Sequence, residues 1–215
     1  MKVFYLPPVI KALAFDMDLT LYTNPEYGQF QIDSLIKKLG ERQGLPFKEM
    51  KSEIEDLRRI WPESHNGKKP SLSNVLMSYG LSMEENILWR EKLYEPREFL
   101  KEDKQLRQTL KELSRSFIMG VVTNNSVLVA RKTLAALGVD EYLTILVGLD
   151  TCMVAKPHKI SYSKFSELSH YPPETCVSIG DRYDIDLDIP LAMGMGGILV
   201  DGVEDVYRLP GVLVK

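Results

Sequence analysis

The second half of the chain alternates short apolar segments with helical ones, and this alternation constrains the fold more than any other feature. The apolar segments are FIMGVVT, LTILVG, TCVSIG and GGILVD, and predicted helices lie between them. Short apolar runs of this kind are typical of buried strands, and strands that alternate with helices indicate a parallel sheet covered on both faces. The earlier segment IKALAF, residues 10–15, is predicted to be one more buried strand of the same sheet.

A long stretch of helical pattern separates IKALAF from the alternating half. The first predicted helix begins at the Asn24-Pro25 pair and ends at Gly44, and the second covers residues 47–61. The segments SLSNVLMSYG and SMEENILWREKLY predict two more helices after a polar, turn-rich break, WPESHNGKKPS. We therefore predict an α/β, Rossmann-like core domain formed by residues 1–23 and 99–215, and a small all-α domain inserted at residues 24–98.

Composition excludes several classes of protein. The 215 residues carry a net charge of −3, so no basic excess favours a nucleic-acid or membrane partner. No apolar stretch is long enough to cross a bilayer, and the N-terminal apolar run is interrupted by Pro7, Pro8 and Lys11 and is not interpreted as a signal peptide. Two cysteines are too few for a disulfide framework. We expect a cytoplasmic monomer or homodimer that acts on a small molecule.

Reactive side chains collect where the predicted strands end. Each of the following residues comes directly after a strand or in the loop beyond it: Asp16, Asp18, Thr123, Asn124, Lys156 and Asp181. Because ligands of an open parallel sheet bind beyond the carboxyl ends of its strands, these side chains are expected to meet in one crevice.

The charges of this group predict a metal and a phosphoryl group. Asp16 and Asp18 are two apart in extended chain, so they point to the same side, where Asp181 joins them. Clustered carboxylates repel one another unless a cation lies between them. An all-oxygen site with few carboxylates suits Mg²⁺, which also binds substrate phosphates. The helix that starts after Thr123 offers free amides to an anion, and Lys156 adds a positive charge.

Four motifs carry a resemblance to a known family. They are Asp16-Met17-Asp18-Leu19-Thr20, Thr123-Asn124, Lys156-Pro157, and Gly180-Asp181 with Asp186 five positions on. In this order they resemble the haloacid dehalogenase superfamily, and within it the phosphatase-like members. The inserted helices resemble that family's helical cap, which closes over the active site. One position departs from the pattern, because Leu19 stands where the phosphatases often have a small or polar residue.

The resemblance implies a role for each site residue. Asp16 would be the nucleophile that forms an aspartyl-phosphate, and Asp18 would be the general acid and then the general base. Thr123 and the Asn124 amide would hold the phosphoryl oxygens, and Lys156 would offset negative charge. Mg²⁺ would bind the Asp16 carboxylate, the Asp18 carbonyl oxygen and Asp181. Two residues would support the site from behind: Asp186, which would orient Lys156 or hold a metal-bound water, and Thr20.

The resemblance also separates reaction classes. Family members that displace a halide typically carry an aromatic residue in place of Asp18, so Asp18 favours phosphate ester chemistry. We expect a phosphatase for a small phosphomonoester such as a sugar phosphate, phosphoglycolate or a nucleotide monophosphate. A phosphomutase or phosphotransferase with the same intermediate and a catalytically inactive binding module stay open as alternatives.

Several other polar residues are interpreted more simply. Asp184 and Asp188 are interpreted as acids near a helix start. Arg182 could contact substrate or form a surface salt bridge, and a solvated face is the favoured account for Arg58, Arg59, Lys68 and Lys69. Tyr22 and Tyr27 are predicted to line the entrance of the site.

Overall fold

The structure, a computed structural model, describes residues 1–64 and 70–214, without the side chains of residues 62–64. Part of the predicted polar break, with Lys68 and Lys69, lies outside the described residues. One sheet is formed by the strands β1 (Lys2–Tyr5), β2 (Ala12–Phe15), β3 (Ile118–Val122), β4 (Ile145–Val147), β5 (Cys176–Gly180) and β6 (Gly196–Leu199).

Helices separate the later strands and follow the last one. They are α1 (Pro25–Gln43), α2 (Phe47–Ser64), α3 (Leu72–Ser78), α4 (Met83–Leu93), α5 (Lys104–Leu113), α6 (Val127–Leu137), α7 (Leu149–Cys152), α8 (Lys159–Ser169), α9 (Asp188–Ala192), α10 (Val203–Val206) and α11 (Pro210–Leu213). A π-helical turn, Tyr183–Leu187, lies directly before α9, where the sequence predicts one continuous helix. None of the described helices is both long and apolar enough to cross a membrane.

The strands follow the order β1-β6-β5-β2-β3-β4. All neighbours pair in parallel except β1, which runs antiparallel to β6. The predicted α/β, Rossmann-like architecture is confirmed, but a wholly parallel sheet is wrong because of β1. This strand was not predicted, since all four of its residues are exposed at the sheet edge and the segment has no buried face to mark it in the sequence.

The central strand determines where the acidic residues that follow it lie. β2 lies between β5 and β3, and its residues Ala12 to Phe15 are all buried. A strand covered on both faces needs apolar side chains at every position, which explains the unbroken run ALAF. The chain leaves this apolar layer at Asp16, whose backbone N–H donates to the Ile179 carbonyl oxygen of β5 at 2.7 Å. Asp16 and Asp18 are therefore fixed at the carboxyl edge of the sheet.

Helices α1 to α4 pack largely on one another. Asn24 caps α1 by accepting from the Tyr27 N–H, and Gly44 ends it in the left-handed conformation, as the sequence predicts. These helices share a buried apolar cluster that only Val129 of α6 joins from the later part of the chain: Leu35, Ile36, Leu39, Met50, Ile54, Val75, Leu76, Leu81 and Tyr94. Burial of this cluster, rather than helix propensity, holds the four helices together.

Candidate active site

A buried lysine joins two carboxylates at the edge of the sheet. Lys156 is 3% exposed, and its Nζ donates to Asp16 Oδ1 at 2.6 Å and to Asp186 Oδ1 at 2.7 Å. These charge-assisted hydrogen bonds orient the Asp16 carboxylate from one side. The Lys156 loop is itself positioned by Asn124, whose Oδ1 accepts from the Lys156 N–H at 2.6 Å and whose Nδ2 donates to the Lys156 carbonyl oxygen at 3.2 Å.

Asp186 is held through its backbone as well as its carboxylate. It lies in the π-helical turn, and its carbonyl oxygen accepts from the Ser178 hydroxyl at 2.8 Å. Its Oδ2 accepts from the Arg182 N–H at 3.1 Å. Gly180 makes room for this arrangement, because a Cβ at that position would lie 2.4 Å from the Asp186 Cβ. The glycine of the Gly180-Asp181 motif is thus required by a close approach.

Three carboxylates crowd together at this point. Oxygens of Asp16, Asp181 and Asp186 all lie within 4.8 Å of one another. Burial, and after it the charge of Asp186, together raise the pKa of Asp181 to about 6. Burial also raises the pKa of Asp16, against the opposing effect of Lys156, and the neighbouring aspartates add to the rise. A divalent cation would relieve this repulsion, so the donor set fits Mg²⁺ or a similar hard ion.

Asp18 lies in the same cavity but faces the inserted helices. Its Oδ1 accepts from the Tyr22 hydroxyl and from Gln31 Nε2 at 3.0 Å, and its Oδ2 accepts from Asn125 Nδ2 at 2.9 Å. Three donors therefore fix the direction of this carboxylate. Burial and the adjacent Asp18 raise the pKa of Tyr22, so its phenol stays protonated and able to donate.

Asn125 links Asp18 to a buried arginine of α4. Arg90 is 5% exposed, and its Nη1 donates to Asn125 Oδ1 at 3.2 Å. The other arginine nitrogens donate to Asn86 Oδ1 and Ser73 Oγ. Sequence reasoning missed this chain of contacts. The one available signal was the spacing of Asn86 and Arg90, which places two hydrogen-bonding side chains one turn apart on a helix.

The loop after β3 keeps one hydroxyl available. Thr123 Oγ1 accepts from the Asn125 N–H at 3.2 Å, which leaves its own proton free to donate. Ser126 caps α6 by accepting from the Val129 N–H, so this segment is a capped helix start of the general kind that can bind anions. The Asn124 side chain, by contrast, is occupied by the Lys156 loop.

The residues after Asp18 depart from expectation. Leu19 adopts a positive φ of 59° and lines the cavity, a conformation that favours glycine or asparagine and explains why small or polar residues suit the position. Thr20 is fully buried, and its hydroxyl has no hydrogen-bond partner among the described residues. Tyr22 and Tyr27 are also buried, and Tyr27 stacks on Phe99 at 4.9 Å between ring centroids. The expectation that these tyrosines line an entrance is therefore wrong.

A cavity of about 420 Å³ lies between the sheet edge and the inserted helices. Asp16, Asp18, Asp181 and Lys156 line it from the sheet. From the helices come Ile32, Leu72, Ser73, Tyr94, Arg58 and Arg90. A space of this size suits a small molecule.

The sequence matches the haloacid dehalogenase-like hydrolase family over residues 10–194. The chain belongs to this family. No curated protein sequence matches it significantly. Solved structures share its fold at low identity, among them a HAD phosphatase from Thermococcus onnurineus, with 18% identity, 95% of this chain and 98% of that chain covered, and a TM-score of 0.63.

Two further solved structures with this fold are of proteins named for other activities. A 2-haloacid dehalogenase from Pseudomonas syringae has 16% identity, covers 95% of this chain and 98% of its own, and gives a TM-score of 0.59. A β-phosphoglucomutase from Clostridium difficile has 17% identity, covers 95% of this chain and all of its own, and gives a TM-score of 0.57. One fold thus serves several reactions, and the reaction of this hydrolase has to be argued from its own site.

In this haloacid dehalogenase-like hydrolase the four motifs converge on one small region. Lys156 contacts Asp16 directly, and Asp181 lies close enough to share an ion with it. Asp186 accepts a hydrogen bond from Lys156 Nζ at 2.7 Å, and it also belongs to the acidic cluster. The side chain of Asp18 lies outside that cluster of carboxylate oxygens, toward the helices.

Proposed function

We propose that this hydrolase is a Mg²⁺-dependent phosphatase that hydrolyses a small phosphomonoester through an aspartyl-phosphate on Asp16. The observation that carries the proposal is the Asp18 carboxylate, which lines the same cavity as Asp16 and is held there by three donors. A departing alkoxide needs a proton, whereas a departing halide does not. A positioned second carboxylate therefore favours ester hydrolysis over dehalogenation.

In the first step Asp16 attacks phosphorus. A new bond forms between an Asp16 oxygen and phosphorus, the ester P–O bond breaks, and Asp18 gives its proton to the leaving oxygen. Lys156 Nζ, at 2.6 Å from Asp16 Oδ1, keeps the carboxylate oriented and offsets negative charge on the transferring group. The Thr123 hydroxyl and the Asn124 N–H bind the phosphoryl oxygens.

In the second step Asp18 takes a proton from water. The water oxygen attacks phosphorus, the bond to Asp16 breaks, and inorganic phosphate leaves while Asp16 is restored. Of the three groups that contact Asp18, only the Tyr22 hydroxyl can also accept a hydrogen bond. Rotation of that hydroxyl therefore accommodates the proton that Asp18 carries in its acid form.

The acidic cluster would hold the metal through the carboxylates of Asp16 and Asp181 and the backbone carbonyl of Asp18. When bound, Mg²⁺ supplies positive charge that offsets the phosphoryl oxygens. Thr20 and Asp186 support the site, Asp186 through Lys156. Residues 24–98 would form the cap that excludes bulk water from this site. We further propose a cytoplasmic monomer or homodimer with no nucleic-acid or membrane partner.

Phosphate release from a panel of small phosphomonoesters, with and without Mg²⁺, tests the proposal. We expect metal-dependent turnover, and a loss of at least about a thousandfold in Asp16→Asn, because the nucleophile is removed. Asp184→Asn is the matched control and should keep the wild-type rate. Halide release from 2-haloacids without any phosphate release would contradict the proposal, as would an unchanged rate in Asp16→Asn. An isomerised sugar phosphate in place of free phosphate would indicate the mutase alternative.

A further inference from the structure

The helical side of the cavity carries positive charge that no carboxylate among the described side chains neutralises. Arg90 is 5% exposed and lines the cavity, and every acceptor that it contacts is neutral. These acceptors are the side-chain oxygens of Asn86, Asn125, Ser73 and Tyr94. Among the side chains that the structure describes, those of residues 1–61 and 70–214, no carboxylate forms an ion pair with Arg90. A buried charge without a counterion is costly, so this arrangement favours an anionic ligand.

Arg58 of α2 lines the same cavity and is partly buried. Its Nε has no hydrogen-bond partner among the described residues. Burial lowers the pKa of its guanidinium, and the nearby charge of Arg182 lowers it further. Arg59, the next residue along α2, is different: it is exposed and donates to Asp56 at 2.7 Å. Two adjacent arginines of one helix thus have different environments: Arg58 lines the cavity and has a buried Nε that is unpaired among the described residues, whereas Arg59 is exposed and paired with Asp56.

The catalytic carboxylates do not explain these arginines. Asp16 and Asp186 already accept hydrogen bonds from Lys156 Nζ. The donors that contact Asp18 are all neutral. Arg90 reaches Asp18 only through the Asn125 amide. Lys156, the Thr123 hydroxyl and a divalent ion suffice for the phosphoryl group that is attacked. The arginine charge is therefore available to a different part of the substrate.

We propose that Arg58 and Arg90 form a second anion-binding subsite, and that the substrate carries an acidic group in addition to the phosphoryl group that is removed. This inference rests on the proposed phosphatase function and narrows its substrates. The acidic group is a carboxylate or a second phosphate, since a guanidinium binds either through paired N–H donors. Neutral sugar monophosphates lack such a group and are poorer substrates.

A purely structural role of Arg90 gives a different result. If Arg90 only orients Asn125 and through it Asp18, its loss slows all phosphomonoesters equally. A subsite for an anion changes the ratio between charged and neutral substrates. The decisive quantity is therefore the ratio of kcat/KM values for matched esters, not the rate with any one of them.

The experiment compares three matched pairs. These are 2-phosphoglycolate with 2-hydroxyethyl phosphate, 3-phosphoglycerate with glycerol 3-phosphate, and glucose 1,6-bisphosphate with glucose 6-phosphate. The first two pairs test a carboxylate and the third a second phosphate. We expect the wild type to prefer the more acidic member of at least one pair by roughly ten- to a hundredfold in kcat/KM, the range for a hydrogen bond to a charged group.

Arg58→Gln should reduce this preference to near one, whereas the matched control Arg59→Gln should keep it. Arg90→Gln should also lose it, but that variant gives up four hydrogen bonds, so Arg58→Gln decides the question if Arg90→Gln fails to fold. The same pairs are titrated calorimetrically into Asp16→Asn with Mg²⁺, with and without Arg58→Gln, which measures binding without turnover. Equal affinity of both members in every pair, or a preference that Arg58→Gln leaves intact, would overturn the inference.

The outcomes separate the two proposals. Turnover of charged and neutral esters at equal rates leaves the phosphatase function in place and refutes the subsite. Arg58-dependent binding of the acidic esters, with no phosphate released from any of them, supports the subsite and refutes the phosphatase function.

Discussion

Replacing Asp186 with asparagine tests whether this carboxylate holds Lys156 in place. Asp186 is 2% exposed, and both of its oxygens accept hydrogen bonds, from Lys156 Nζ at 2.7 Å and from the Arg182 N–H at 3.1 Å. An asparagine of the same shape has one oxygen and one NH₂ group. Whichever way the amide is turned, its NH₂ group faces a donor.

The cost of the substitution has two parts. A buried donor left without an acceptor costs about 1–3 kcal/mol. Lys156 also loses one of its two negative partners, but because it keeps Asp16 at 2.6 Å, this part is smaller than the ~3–5 kcal/mol for breaking a buried pair completely. Both parts lower the free energy of unfolding.

Relief of repulsion acts in the opposite direction. The Asp186 charge helps to raise the pKa of Asp181 from 3.8 to about 6, and the whole rise corresponds to about 3 kcal/mol. Burial is its main cause, so the part that removal of the Asp186 charge relieves is smaller than this figure. The net expectation is a loss of about 2 kcal/mol, or a fall in Tm of roughly 4–8 °C for a chain of this size.

Urea unfolding of the metal-free protein measures this difference directly. Asp184→Asn is the matched control, because Asp184 lies in the same π-helical turn but is partly exposed, and its free energy of unfolding should change by less than about 0.5 kcal/mol. If Asp186→Asn proves as stable as the wild type, or more stable, repulsion among the carboxylates dominates. In that case Asp186 is not what fixes Lys156.

Three further predictions concern neighbouring positions. Gly180→Ala should lower the free energy of unfolding in urea by about 1–3 kcal/mol and kcat/KM by about ten- to a hundredfold, because the new Cβ would displace Asp186. Wild-type stability and activity in this variant would contradict the close approach of Gly180 to Asp186. Leu19→Gly should keep the free energy of unfolding within about 1 kcal/mol of the wild type, because glycine relieves the strain of the positive φ at this position. Leu21→Ala, at a fully buried position, should lower it by about 2–5 kcal/mol. Equal losses in the two variants would argue against backbone strain at Leu19. Folding raises the pKa of Asp181 to about 6, so between pH 4 and 6 the folded state binds more protons than the unfolded state, and the metal-free protein should lose stability as the pH rises through this range. The rise in Tm that Mg²⁺ causes should grow over the same range, because the metal competes with the proton for Asp181. A rise in Tm that does not depend on pH would exclude this competition.

The sheet and the carboxylates at its edge could be predicted because their determinants are local. A strand buried on both faces is a short apolar run, and the residue that follows it necessarily lies at the strand's carboxyl end. Asp16 and Asp181 could therefore be placed near each other from two separate segments of sequence. Strand β1 could not be predicted in this way, because an exposed edge strand has no run of buried residues that would mark it in the sequence.

The arginines could not be placed in this way. Arg58 and Arg90 lie on helices rich in charged residues, where an arginine usually faces water. Arg90 is buried because α4 packs against α3 and the loop before α6. Such a tertiary contact produces no periodic pattern in the sequence of α4 from which it could be predicted. The adjacent arginines Arg58 and Arg59 show the limit clearly, since identical residues at neighbouring positions have different environments.

The same contacts would couple substrate selectivity to the proposed chemistry. Asp18 belongs to the loop after β2, but its partners include Gln31 of α1 and, through Asn125, Arg90 of α4. The proposed general acid is thus oriented by the inserted helices as well as by the sheet. An acidic group bound at Arg90 would weaken the hydrogen bond from Arg90 to the Asn125 oxygen. The hydrogen bond from Asn125 to Asp18 would change in turn. On these proposals, a substrate that fills the subsite would also affect the carboxylate of the proposed general acid, and one that leaves it empty would lose binding and orientation together.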